Sequence, residues 1–281
     1  MRYSIRHITR FTYDAAISES VMEARMQPRT DNLQRCLQFV LLTTPSARVM
    51  IYRDHENNVV HHFNIPGRHA RLTVTAEALV ECMAMRPLPH RLGPAAWSRL
   101  DAMASSGQWW EYLAPSPFAT PTAALEALRD EIGLERGNDP LVALRRLMGE
   151  MYARFEYSPR STRVDSPIDE ALAARKGVCQ DFAHIFLSLV RPLGIPARYV
   201  SGYLYDPRAS GNGNSASHAW VDVWEPERGW VSLDPTHDRE QTDRYVRVGV
   251  GRDYADVPPT RGVYKGKAKE ELEVAVRIRE L

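Results

Sequence analysis

"GVCQDFAHIFLSLVRPLGIPARYVSGYL", residues 177–204, turns from one periodicity to another. Phe182, Ile185, Phe186, Leu189 and Val190 fall at i, i+3, i+4, i+7 and i+8, the apolar stripe of a helix packed on a core. "LGIP" stops that helix at Gly194 and Pro196, and "ARYVSGYL" then reads as a strand. "SHAWVDVW" and "GWVSLD" follow as two more strands, with "EPERG" as their turn. Helix first and antiparallel sheet second is an α+β order.

Working outward, residues 1–84 read as an N-terminal antiparallel β domain. Tyr3, Ile5, Phe11 and Tyr13 alternate with Arg2, Ser4, Arg6 and Arg10, and Leu72, Val74, Ala76, Ala78 and Val80 share one face of "ARLTVTAEALV". "CLQFVLLTT", "ARVMIY" and "VVHHFNI" supply further strands, with His61 and His62 read as surface or interface histidines. Residues 85–118 form a Pro-rich junction with short helices, and residues 119–281 a core opened by three helix starts at Thr120-Pro121, Asp139-Pro140 and Ser166-Pro167. "YVRVGV" and "LEVAVRI" close that core as strands.

Composition narrows the function. The chain has 281 residues, 44% hydrophobic and 25% charged, with 36 Lys+Arg against 35 Asp+Glu and a net charge of +1. No overall field attracts nucleic acid or an anionic membrane, and no run of about 18 apolar residues predicts a membrane helix. Three cysteines are too few for a disulfide framework or a CxxC zinc site and suit a reducing compartment. The N-terminus lacks the apolar stretch of a secretory signal, so the expected location is the cytoplasm.

Cys179 carries the chemical question. It belongs to the inward stripe yet sits at the helix start, where free N–H groups and the positive dipole end favour an anion, the setting of a reactive thiolate. As a buried small hydrophobe it would need no partner, which is the reading for Cys36 and Cys82. For Cys179 the hairpin supplies partners. With Trp224 facing Trp230, Ala219, Val221, Val223, Val231 and Leu233 share one face, and His218, Trp220, Asp222, Trp224, Trp230, Ser232 and Asp234 the other. Asp234 then lies one diagonal step from His218, and a one-residue slip would part them. Cys179, His218 and Asp234 are the parts of a nucleophilic triad: attacking thiol, proton carrier and orienting carboxylate.

"SPIDEALAARKGVCQDFAHIFLSLVRPLGIPARYVSGYL", "SHAWVDVWEPERGWVSLDPTHD" and "VGVGRDYADVPPTRGVYKG" resemble the transglutaminase-like superfamily of papain-type cysteine enzymes. "IRHITRFTYDAAISES" and "DHENNVVHHFNI" resemble the β domain that precedes the core in its bacterial members. The resemblance implies a catalytic helix packed on an antiparallel sheet, with Cys179 as nucleophile, His218 as general base and acid, and Asp234 as orienting carboxylate. His237 departs from the Asn that related sequences often carry after "DPT", adding a titrating group.

The expected oxyanion donors are the Cys179 backbone N–H and, as in similar enzymes, a side chain from upstream, for which Tyr157 is the candidate. Tyr157 reads equally well as a core tyrosine beside Phe155. Asp181, His184 and Ser188 make a polar stripe, of which Asp181 and His184 are expected to hold the helix start through buried hydrogen bonds, with a direct catalytic role as the alternative. No metal and no cofactor are expected: a Cys/His/His site lacks closely spaced ligands, and no acidic loop matches the calcium sites of animal transglutaminases. The Gly/Ser/Asn-rich segment 206–217 is either a lid or an ordinary connection.

Three functions stay open. One is hydrolysis of an amide or isopeptide bond of a peptide-like substrate through a thioester, which a cytoplasmic chain favours. Another is transfer of the same acyl group to an amine, and the last is a non-catalytic binding module. The N-terminal β domain borders the cleft or mediates self-association as a homo-oligomer.

Overall fold

Alternating side chains build the first sheet. The structure, a computed structural model describing residues 1–159, 161–207 and 217–281, opens with β1 (Arg2–Ala24), β2 (Gln34–Thr44), β3 (Val49–Arg53) and β4 (Val59–Cys82). β1 and β4 pair antiparallel along most of their length, from Arg2↔Glu81 to Ala24↔His61. The two runs read separately as "VVHHFNI" and "ARLTVTAEALV" are thus one long strand, β4. Tyr3, Ile5 and Phe11 of β1 and Leu72, Val74 and Val80 of β4 are buried, as alternation predicts. His61 is buried too, its ring 4.9 Å from that of Phe39, which corrects the surface half of the surface-or-interface expectation.

The junction holds α1 (Ala96–Ser105) and α2 (Trp110–Leu113), followed by α3 (Ala123–Glu131), α4 (Pro140–Arg154), β5 (Glu156–Tyr157), α5 (Ile168–Ala174) and β6 (Lys176–Gly177). Of the three expected helix starts, one matches: the Asp139 side chain accepts from the N–H groups of Leu141 and Val142, with Pro140 in the first turn. α3 starts later, capped by Thr122, which accepts from Leu125. Ser166 instead accepts from the Arg163 N–H and donates to Glu170, and α5 begins two residues beyond it.

α6 (Cys179–Val190) is buried on nearly every side, not along one stripe alone. α3, α4 and α5 pack around it, and β7 (Ala197–Leu204) and β8 (Ser217–Glu225) cover the remaining face. With β9 (Gly229–Asp234), β10 (Arg239–Glu240) and β11 (Tyr245–Gly251) these form an antiparallel sheet in the order β10-β9-β8-β7-β11. Ala219, Val221, Val223, Val231 and Leu233 join the α6 core.

The chain then leaves this unit. β12 (Thr260–Lys265) and β13 (Glu270–Glu280) pair antiparallel with β1, in registers such as Val21↔Val263 and Ile5↔Ile278. The expectation that residues 119–281 form one core is therefore corrected at its C-terminal end: residues 260–280 complete the N-terminal sheet. Alternation marks a strand without naming its partner. The two sheets meet where Tyr3, Ile5, Val80 and Val276 pack on Tyr203, Val246 and Val248.

Candidate active site

Cys179 is half-buried at the first position of α6. The backbone before it is held by Asp181, whose Oδ2 accepts from the Val178 N–H at 2.8 Å and from the Thr162 hydroxyl at 2.5 Å. The Val178 carbonyl in turn accepts from the Asp181 N–H at 2.9 Å, closing the first turn in the manner of a capping box. A β-carbon at position 177 would lie 2.9 Å from both Cβ and Oδ2 of Asp181, so glycine there lets the carboxylate fold back. Burial raises the Asp181 carboxyl above its ordinary range, against the lowering effect of those two hydrogen bonds.

The hairpin register is the one the sequence predicts, with Trp224↔Trp230 and Val221↔Leu233. His218 and Asp234 therefore share a face, and His218 Nε2 lies 2.8 Å from Asp234 Oδ2. Nδ1 is the ring nitrogen left free of Asp234, and Cys179 stands close enough to raise this histidine's pKa. That face is the one turned away from α6. His218 stands near the start of β8, the strand that packs on α6.

Asp234 is fully buried and satisfied at both oxygens. Oδ1 accepts from the Thr236 N–H at 2.9 Å, while Oδ2 also accepts from the Tyr245 hydroxyl at 2.7 Å and faces His237 Nδ1 at 2.8 Å. Burial alone would raise its pKa, but the charge and hydrogen bond of His218, then those of His237, hold it far below the usual carboxylate range. Burial likewise disfavours a charged His218; the Asp234 charge and hydrogen bond, reinforced by Cys179, outweigh it and raise this pKa well above the ordinary histidine value.

Tyr157 is the upstream candidate, and the structure puts it beside the thiol. β5 pairs parallel with β6, setting Tyr157 opposite Gly177, two residues before Cys179. The ring is 48% exposed, so it is not a core tyrosine; Phe155 occupies that place, its ring 5.9 Å from Phe182. Burial and then the Cys179 charge raise the Tyr157 hydroxyl pKa.

His184 is brought to a different place. Its ring is buried, stacks on Phe118 at 5.3 Å and accepts from the Tyr254 N–H at 3.2 Å. Burial, then Arg191, lowers its pKa to about 3, so it is a neutral acceptor pinning the 254–256 turn and not part of the helix start. Ser188 donates to the His184 carbonyl within the helix. Sequence reading missed Tyr245, which alternation presents as one more strand residue. Residues 208–216 of the expected lid lie outside the described residues.

Three groups here could hold a metal: His218, Asp234 and His237 bring ligand atoms within 4.8 Å of one another. Among the described residues no helix is long and apolar enough to cross a membrane.

Known proteins share this arrangement of sequence. The transglutaminase-like superfamily core matches residues 127–235, and the bacterial transglutaminase-like N-terminal region matches residues 3–81. The uncharacterized protein ML0607 of Mycobacterium leprae is 35% identical over 283 residues, covering 100% of this chain and 99% of its own. A Pseudomonas aeruginosa protein-glutamine gamma-glutamyltransferase is 32% identical over 175 residues, 56% of this chain and 25% of its own. A solved Cytophaga hutchinsonii structure, described as a candidate cysteine protease, superposes with a TM-score of 0.75 at 19% identity, covering 100% of this chain and 91% of that one. With both of its regions matched and a full-length relative at 35% identity, the chain belongs to the transglutaminase-like superfamily, in its bacterial form with an N-terminal β region.

Proposed function

We propose that the protein is a cysteine-dependent acyl-transfer enzyme that opens an amide or isopeptide bond of a peptide-like substrate and passes the acyl group to water. The observation that carries this reading is an imidazole hydrogen-bonded at Nε2 to a buried, fully hydrogen-bonded carboxylate and close enough to a helix-start thiol for the thiol to raise its pKa. The Cys179 thiolate adds to the substrate carbonyl, and the backbone N–H of Cys179 and the Tyr157 hydroxyl receive the developing oxyanion. The imidazolium of His218 gives its Nδ1 proton to the leaving amine as the C–N bond breaks, leaving a thioester. His218 then takes a proton from water, whose oxygen attacks the thioester; the acid departs and the thiol is restored. Asp234 keeps the ring oriented and balances its charge throughout.

Amine transfer is the second reading, favoured by the similarity to the Pseudomonas aeruginosa glutamyltransferase. Both use one thioester and differ in which nucleophile reaches it. The test incubates glutamine- and isopeptide-containing peptides with and without a primary amine and reads products by mass spectrometry. Free acid alone supports hydrolysis, and an amine adduct supports transfer. Alkylation by iodoacetamide between about pH 5 and 9 tests the shared step, since a histidine-paired thiol reacts at neutral pH where a free one, with a pKa near about 8.5, is mostly protonated. A Cys179 no more reactive than a free thiol, with no turnover of any amide, would leave a binding module.

A further inference from the structure

The carboxylate of Asp234 is shared by two imidazoles, and only one of them is needed to carry protons. His237 Nδ1 and His218 Nε2 each lie 2.8 Å from Asp234 Oδ2, and the two ring centroids are 5.1 Å apart. Asp234 has no exposed surface, His218 is 8% exposed and His237 36% exposed, so the approach from solvent runs past His237. Among the described residues, these three are the group of nitrogen and oxygen atoms close enough to converge on one ion.

We propose that His218, Asp234 and His237 form an inhibitory site for a first-row divalent transition-metal ion, zinc above all. Two imidazole nitrogens and one carboxylate oxygen, with a fourth position left to water, are the donor set such ions favour. At bond lengths of about 2.0–2.2 Å, tetrahedral ligand atoms stand about 3.3 Å apart. The two imidazole nitrogens, which with the Asp234 oxygen lie within 4.8 Å of one another, must each retreat from that oxygen by about half an ångström and settle about 3.3 Å apart, and His237, at the surface, takes up more of that movement. Asp234 stays in place because Thr236 holds its other oxygen.

The ion sits on the side of the His218 ring opposite the thiol. It takes Nε2, and the sulfur of Cys179 is not among the ligand atoms that converge here, so the thiol is not a ligand. An imidazolium at position 218 loses its Nε2 proton to solvent, and His237 moves its proton from Nδ1 to Nε2. The ring, fixed to the metal, can no longer pass protons between thiol, substrate and leaving group. This consequence for turnover rests on the proposed function; the binding itself does not.

The test titrates Co2+, then competing Zn2+, into the full-length protein at neutral pH and into Cys179→Ala and His237→Asn. Asn at 237 keeps an N–H donor for Asp234 but offers no imidazole. The expected result is one ion per chain with visible d–d absorption, displaced by zinc, unaltered in Cys179→Ala and weakened about ten- to a hundredfold or more in His237→Asn. His237→Gln serves as the second variant should thermal melting show the first to be unfolded. A thiolate-to-cobalt charge-transfer band that disappears in Cys179→Ala would place the ion between thiol and imidazole and overturn the proposal. So would cobalt affinity unchanged in both His237 variants, or no binding by the wild type. Turnover without metal binding sinks this inference alone, whereas metal binding without turnover of any amide sinks the catalytic reading and leaves the site.

Discussion

Replacing Asp234 by Asn removes one charge and one acceptor from a carboxylate that meets four groups. Three of them, His218, His237 and Tyr245, share Oδ2, and the Thr236 N–H takes Oδ1. The amide keeps most contacts by placing its oxygen at the Oδ2 position. Three charge-assisted hydrogen bonds then become neutral ones, a loss of about 1 kcal/mol each, and the Thr236 N–H faces an NH2 donor at a cost of about 1–3 kcal/mol. Together these come to about 4–6 kcal/mol, on a level with the roughly 3–5 kcal/mol that follows from unpairing a buried ion. A domain of ordinary stability, about 5–15 kcal/mol, still folds at low temperature.

The pH dependence of that loss has a definite sign. The folded-state pKa of Asp234 is depressed, so its contribution is present above the unfolded value near about 3.9 and fades as pH falls through the folded value. That of His218 is raised, so its contribution is complete below about 6.5 and is lost as pH rises through the folded value. Urea denaturation of wild type and Asp234→Asn should therefore show the widest gap between about pH 4 and neutrality, narrowing on the alkaline side. Iodoacetamide alkylation of Cys179 should begin at higher pH in the variant, and turnover should fall roughly 10⁴-fold, as it does for the same change in a serine triad. A pH-independent stability gap, or superimposable alkylation profiles, would refute the coupling of thiol, imidazole and carboxylate.

Other perturbations probe the supports of this site. Gly177→Ala forces Asp181 off Val178 and Thr162, so it should cost about 0.5–2 kcal/mol, the worth of a helix cap, and slow alkylation of Cys179; an unchanged melting temperature would count against the close approach. Tyr245→Phe deletes one donor to a buried carboxylate and should lower stability by about 1.5–3 kcal/mol in chemical denaturation, with a null result showing that the hydroxyl is dispensable. His184 and His7 are buried neutral, with pKa values lowered by burial to about 3 and about 4. Their stability contribution is whole above about pH 6.5 and shrinks as pH falls, by roughly 1.4 kcal/mol per pH unit each until the folded values are reached. Acid melting curves of His184→Gln and His7→Gln should be flatter than wild type over that range, and parallel curves would show that the rings are already solvated.

How far the sequence discloses the site depends on the range of each interaction. The register of β8 and β9 is legible because five residues separate Trp224 from its partner Trp230, and turn and alternation together leave one pairing. Cys179 is legible because a helix start is a local event. His184 is not, since the same stripe that holds Asp181 points it toward Tyr254, 70 residues away. The return of residues 260–280 to β1 is equally hidden: Leu272, Val274 and Val276 alternate like any strand, yet only Val276 of these is buried, with Ile278 beyond it.

Tyr245 shows why the distant sheet matters to the site. Its hydroxyl holds the Asp234 carboxylate, and its strand, β11, is bound to the N-terminal sheet along its length. The side chain of Gln34 spans the Arg247 backbone, accepting from its N–H and donating to its carbonyl, while Asn58 does the same at Val250. The Arg247 guanidinium reaches the buried Asp222 at 3.4 Å and Ser232 at 2.8 Å, one on each strand of the catalytic hairpin. Buried polar groups of this kind are costly unless every member is paired, so loss of the N-terminal region would leave the backbone groups of Arg247 and Val250 without Gln34 and Asn58 and loosen the strand that carries Tyr245. The N-terminal region is therefore part of what holds the carboxylate in place, and a core cut free of it would lose the geometry on which His218 depends.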